Sequence, residues 1–248
     1  MKSTFLIIFL TSLIFIKQPS TISNDWEREV FNSFNEINID GFDVYDFSKC
    51  ISNQLRFAND PWSTYIGVLG SSNRRIDFHF IATKISNFGY SVKGKRLLDN
   101  EILNLTGSIE LRNVFQAYDD VFIILFHYKL TEKVETKECF VYEGVGSIVF
   151  KIEDDKPKVF WSEDGELRLF NNMFVGYRKG IYTDLIDECI FTFNPSGTYN
   201  KLPFRDFFYK DFDEEDLCKC FYEIREEFRQ YGWSDYNDNN LYKNDWWR

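Results

Sequence analysis

Hydrophobic positions change their period three times along this chain. From Phe5 to Ile16 they form a run broken only by Thr11 and Ser12, with Lys2 before it and Lys17 and Pro19 after it. Such a run reaches about 18 Å as a helix, short of a hydrocarbon core of about 30 Å. It has the length of the apolar region of a secretory signal. Thr21 and Ser23 offer small residues for cleavage before Asn24, so residues 1–23 are expected to be a signal peptide. No cysteine follows the run closely, which argues against a lipoprotein anchor there.

The next segment, 24–61, has a helical period. Trp26, Val30, Phe34 and Ile37 recur on one face, with Asn24 or Asp25 as a cap and Glu27 and Glu29 near the positive end of the dipole. Asp40-Gly41 predicts a turn, and Phe47, Ile51 and Leu55 share one face of a second, shorter helix that ends before Pro61.

Between 62 and 195 the period shortens. Ile76, Phe78, Phe80 and Ala82 alternate with polar neighbours, the mark of a half-buried strand. Further strands are expected at Tyr90–Lys95, Leu103–Leu111, Val121–Leu130 and Phe140–Ile152, and at Phe174–Arg178 and Glu188–Phe193. Val121–Leu130 is apolar on both faces, and Phe140, Tyr142, Ile148, Phe150 and Ile152 keep one parity across Gly144 and Gly146. Asp164-Gly165, flanked by Lys158–Glu163 and Glu166–Phe170, predicts a hairpin. No helical pattern separates these strands, so parallel crossovers are not expected. Sequential hairpins favour an up-and-down barrel over a sandwich.

A loop and a C-terminal amphipathic helix are expected over 196–232. Asp213 is the candidate cap, Leu217, Phe221, Ile224, Phe228 and Tyr231 form the stripe, and Gly232 ends it. Residues 233–248 form a polar tail carrying Trp246 and Trp247. The fold class is thus mainly β (α+β): an antiparallel barrel or sandwich of about eight strands, with N-terminal helices and the C-terminal helix.

Composition adds exclusions. The 248 residues carry 29 basic and 39 acidic side chains, a formal charge of −10. That balance argues against nucleic acid as a partner and against a polybasic membrane-surface mode. Phe (27) and Tyr (14) are abundant, and Ala58, Ala82 and Ala117 are the only alanines, which leans towards strands. Five cysteines are too few for a disulfide scaffold. Cys218-Lys-Cys220 lacks redox spacing, and one bridge is conceivable among Cys50, Cys139 and Cys189.

Tyr90-Ser-Val-Lys-Gly-Lys95, Asn100 and Leu105-Thr-Gly-Ser-Ile109 resemble a group of exported bacterial β-rich proteins of unknown function. Phe174-Val-Gly-Tyr177 and Glu188-Cys-Ile190 match that group's later strands. The resemblance spans roughly 62–195 and implies an exported β-rich domain, with no activity attached.

Chemistry is sparse. His79 and His127 both fall in expected strands, without the spacing of a zinc motif. Val145-Gly-Ser-Ile148 lacks the glycines of a nucleophile elbow. Asp119-Asp120 and Glu153-Asp-Asp155 read as solvated turns. Asp235–Asn240 fails as a calcium loop, with Asn240 where glycine is needed and Trp246 where glutamate is needed. No catalytic residue, metal or cofactor is therefore assigned. Tyr128, Tyr142 and Trp161 remain as candidate ligand-binding residues at a barrel mouth, amphipathic side chains suited to a small apolar ligand. The expected protein is secreted, or periplasmic and envelope-associated, with no transmembrane span after signal cleavage. It acts by binding an apolar ligand or another protein; the alternative is a secreted hydrolase using paired carboxylates.

Overall fold

A computed structural model describes residues 21–52, 64–134, 137–160, 167, 169–193, 208–212, 220–234, 236 and 246. Helix α1 (Thr21–Ser33) buries Trp26 and Val30, as their spacing requires. The helix stops earlier than the apolar period does. Asn32, Ser33, Asn35 and Asn38 have side chains that compete for the backbone and disfavour helix. Ile37 instead lies in β1 (Asn35–Ile37), paired antiparallel with residues 114–116. A 3₁₀ turn (Ile39–Phe42), whose Asn38 side chain accepts from the Asp40 amide, leads to the one-turn α2 (Ser48–Ile51). Leu55 lies outside the described residues.

Ten strands form the main sheet. They are β1, β2 (Tyr65–Leu69), β3 (Arg74–Lys84), β4 (Gly89–Leu98), β5 (Glu101–Gln116), β6 (Val121–Val134), β7 (Lys137–Glu153), β8 (Lys156–Val159), β9 (Met173–Gly180) and β10 (Ile186–Thr192). Every pairing is antiparallel. Going round, β2, β3, β4, β5, β6, β7, β9 and β10 each bond the next, and β10 bonds β2, closing an eight-stranded ring. Short β1 and β8 are appended to β5 and β7, so the ring is not a plain barrel. The alternating β3 pattern and the unbroken parity of β7 across its glycines hold as read. β2 carried no alternation to betray it, because all five of its residues are buried.

The turn read at Glu153-Asp-Asp155 is a hairpin: Asp154 and Asp155 (φ 52 and 57) join β7 to β8 in the left-handed conformation of a hairpin turn. The hairpin expected at Asp164-Gly165 lies outside the described residues, and of its second strand, Glu166–Phe170, the described Leu169 and Phe170 lie in a turn. The C-terminal helix is broken. Cys220–Ile224 is a strand, β12, paired with β11 (Phe208–Phe212). Its Phe-Tyr pair has high strand propensity, and the pairing partner overrides the helical spacing. Only α3 (Glu226–Phe228) and the π turn Arg229–Trp233, with Gly232 at φ 91, remain helical among the described residues.

Alternation splits the apolar residues into two cores. One fills the lumen with rings: Tyr65 stacks on Phe80 and Phe193, and Phe174 stacks on Phe191 at 4.5 Å. The other lies outside the wall, where Ile66, Ile123, Leu125, Val149, Val175 and Ile190 are covered by α1, Phe170 and Trp233. The bridge considered among Cys50, Cys139 and Cys189 is not formed. Cys50 and Cys189 are lumen residues, and the Cys50 thiol donates to the Pro157 carbonyl.

The ends of the lumen are closed differently. At one end α2 inserts Cys50 and Ile51, held by the Tyr65 hydroxyl, which donates to the Ile51 carbonyl at 2.6 Å, and by Tyr90, whose hydroxyl accepts from the Phe47 amide. Burial pushes the Tyr90 phenol up to about 12. The other end holds a buried ion pair. Arg96 Nε and Nη2 donate to Glu132 at 3.0 and 2.7 Å, and Nη1 donates to the Glu101 carbonyl. The second Glu132 oxygen accepts from the Tyr142 hydroxyl. Burial alone would lower the Arg96 pKa; the bonds and charge of Glu132 outweigh it and leave it raised.

This pair yields the first prediction. Glu132→Leu strands a buried guanidinium and should cost about 3–5 kcal/mol, whereas Arg96→Met/Glu132→Leu should recover most of that loss. Urea denaturation of the two variants checks it; equal destabilisation would show that the pair does more than neutralise charge.

Candidate functional site

Of the three residues expected to bind a ligand, two lie in the lumen and neither faces an open calyx. Tyr142 is fully buried, bonded to Glu132, and its ring meets Phe78 edge-on at 5.1 Å. Burial, then the Glu132 charge, raises its pKa well above the ordinary value. Tyr128 packs on Phe174 and Phe191 at 5.2 and 5.7 Å. Trp161 lies outside the described residues. An eight-stranded ring has a bore that side chains just fill, and here aromatic rings fill it. The apolar-ligand calyx expected from the sequence is thus not formed between Tyr128 and Tyr142.

Tyr128 still marks a place of interest. It lies opposite Gly144, which pairs with Gly176 on β9. A Cβ at Gly176 would sit 2.7 Å from the Tyr128 hydroxyl, so only glycine lets the wall pass so close to the phenol. That hydroxyl is buried and has no hydrogen-bond partner among the described residues. On the outside of this same stretch of wall is a groove of about 340 Å³, to which Tyr128 and Gly144 contribute. Its polar groups come from α1 (Ser23, Asn24, Glu27), β6 (His127, Lys129), β7 (Glu143) and β9 (Tyr177).

Strand parity places those side chains. His127 and Lys129 point outward because Phe126, Tyr128 and Leu130 point inward. His127 Nε2 lies 3.2 Å from Glu27, tying α1 to the wall. Lys179 Nζ donates to Glu143 at 2.6 Å and to the Tyr177 hydroxyl, and sits 4.4 Å from the Tyr177 ring centre. Burial works to raise the Glu143 carboxyl, but Lys179 and then Tyr177 hydrogen-bond it and hold its pKa below the ordinary value. A depressed carboxyl pKa means the pair is present at neutral pH and is lost only as pH falls through the folded value. The groove therefore offers donors, acceptors and one half-exposed aromatic ring.

A larger cleft, about 640 Å³, lies between the outer face of β3–β4 and the C-terminal turn. Its charges are satisfied within the protein: Arg75 to Asp77 at 2.7 Å, Arg74 to Asp99 at 3.0 Å, and Arg229 to Glu226 at 2.9 Å. Arg75 also lies 5.7 Å from the Trp233 ring, whose indole donates to the Asn73 carbonyl. These contacts dock the C-terminal segment, and the groove beside α1 is the better candidate site.

Among the described residues the carboxyl groups with a clear shift, Glu143 and Glu153 (down to about 2), both go downward, each held by lysines. A hydrolytic general acid needs the opposite shift. Among the described residues no group of three or more His, Cys, Asp or Glu is placed to hold a metal ion, and no helix is long and apolar enough to cross a membrane. His79 and His127 lie on strand faces as expected, but the outward register that brings His127 to Glu27 had no local signal.

The orphaned phenol gives a direct test. Tyr128→Phe removes a buried hydroxyl without a bond and should leave stability unchanged or raise it by up to about 1–3 kcal/mol. A drop in melting temperature would mean that the hydroxyl is bonded in solution.

No family model matches the chain, and neither a curated protein nor a solved structure matches it.

Proposed function

We propose that this is an exported, non-catalytic binding protein that recognises its partner with the polar outer wall of the ring and not with the lumen. The observation that carries the reading is the filled lumen, closed at one end by α2 and at the other by the Arg96–Glu132–Tyr142 network. A calyx for a small ligand needs about 300 Å³ or more of internal space. The groove beside α1, in contrast, is open and lined by groups that hydrogen-bond polar ligands. The paired-carboxylate hydrolase has less support, since the resolved carboxyl shifts favour fixed anions.

Export rests on the apolar run Phe5–Ile16. Cleavage after Ser23 would cut inside α1 and remove the Ser23 hydroxyl, which donates to the Val175 carbonyl at 3.0 Å. Ile22 also packs on the outer core. Both contacts favour a cut upstream of Ile22.

Two measurements check these statements. Titration with a fluorescent fatty acid should give no saturable binding; a stoichiometric complex would place the ligand in the lumen and overturn the outer-wall reading. Intact-mass analysis of protein from its native host should show loss of about the first 20 residues. Full-length protein inside the cell would remove export from the proposal.

A further inference from the structure

We propose that Asn104 is an N-glycosylation site, modified as the chain crosses a membrane and before the ring closes. The inference rests on the export reading above and adds a covalent modification to it.

The signal is a triplet. Asn104-Leu105-Thr106 has the Asn-x-Thr spacing of a glycan acceptor, with leucine in the middle. The chain's other triplet of this spacing, Asn194-Pro-Ser196, is blocked by its proline. A triplet alone carries little, and the fold decides whether it can hold a glycan. Sheet parity sends Leu105 into the lumen, where it is 1% exposed, and so turns Asn104 and Thr106 outward. Asn104 is exposed, and its side chain makes no hydrogen bond among the described residues. Its carboxamide nitrogen is therefore free to carry a sugar.

A glycan is bulky and needs open surface around its root. Elsewhere on the ring α1 and Trp233 cover the outer core, but the outward Lys93 on β4 and Ile102 and Ser108 on β5 are exposed. Ile102 stands on the same face as Asn104, two residues and roughly 7 Å along the strand, and is 45% exposed. Sugars rooted at Asn104 lie beside this aliphatic side chain and shield it from water.

The fold also sets the time of transfer. Asn104 is paired on both sides, with Lys95 of β4 and Lys133 of β6. A transferase takes its acceptor as a free peptide, and freeing residues 104–106 from the closed ring would break the ladder to both neighbours. β6 follows the triplet in sequence, so the acceptor is available from its emergence until β6 pairs with β5. The donor is an oligosaccharide joined through a diphosphate to a membrane lipid. The Asn104 carboxamide nitrogen attacks the anomeric carbon of the first sugar, and a C–N bond forms. The C–O bond to the diphosphate breaks, and its electron pair leaves with the lipid diphosphate. The nitrogen gives up one of its two protons to a carboxylate of the transferase. The Thr106 hydroxyl seats the acceptor in the transferase, which is why the triplet needs it.

Intact mass and peptide mapping of the mature protein from its native host test the site. The signal-cleaved chain should exceed its sequence mass by one oligosaccharide, with the whole excess on the peptide that holds Asn104. Asn104→Gln and Thr106→Ala should each abolish the excess. Thr106→Ser, which keeps the hydroxyl, should retain it. Secretion of the Thr106→Ser variant at the parent's level shows that substitution at 106 does not itself prevent folding. Signal-cleaved protein of unmodified mass overturns the glycan and leaves export standing. An excess that survives Thr106→Ala, or that maps to another peptide, also overturns the assignment. Full-length protein inside the cell would instead bring down the export reading itself, so the two failures are distinguishable.

Discussion

A closed ring of eight strands has a fixed bore, and the side chains that point into it must fill it. That constraint organises the molecule. With no free edge in the ring, every strand hydrogen-bonds on both sides, and alternation sends one half of each strand inward. Phenylalanine and tyrosine do the filling, and the stacked and edge-on contacts among Tyr65, Phe80, Phe174 and Phe191 show how closely. Gly176 on β9 lets the wall approach Tyr128 where a side chain would collide with its hydroxyl.

A filled ring still has two open ends. One is closed by the apolar α2, moored by tyrosine hydroxyls to backbone atoms. The other is closed by charge, with Glu132 satisfied on both oxygens by Arg96 and Tyr142. Burying an ion pair adds little to stability compared with an apolar plug, and this one joins three strands: Arg96, Glu132 and Tyr142 meet only if β4, β6 and β7 are aligned.

Closing the lumen leaves the outside of the wall as the accessible surface, and that outside is divided. The half formed by β2, β10, β9 and the adjoining parts of β6 and β7 is apolar and covered by α1 and the C-terminal turn. The outer face of β4, β5 and the rest of β6 carries polar side chains such as Lys93, Asn104 and Thr106, and the α1 groove opens beside β6, β7 and β9.

The sequence by itself determined the local periods. Alternation in Ile76–Ala82, continuous parity through Phe140–Ile152 and the two-faced apolar run at Val121 were legible because each depends only on neighbours along one strand. Helix α1 was legible for the same reason, though its end was not, since Ile37 was claimed by pairing with Val114. What only the tertiary structure decided depends on partners distant in sequence. The strand at Cys220–Ile224 needs Phe208–Phe212 to pair with, and spacing alone read it as helix. Whether Tyr128 and Tyr142 line a cavity or fill a core depends on the bore of the ring, which exists only once β10 bonds β2. The row of Lys95, Asn104 and Lys133 was invisible for a related reason: its members come from three strands, and only cross-strand register sets them side by side.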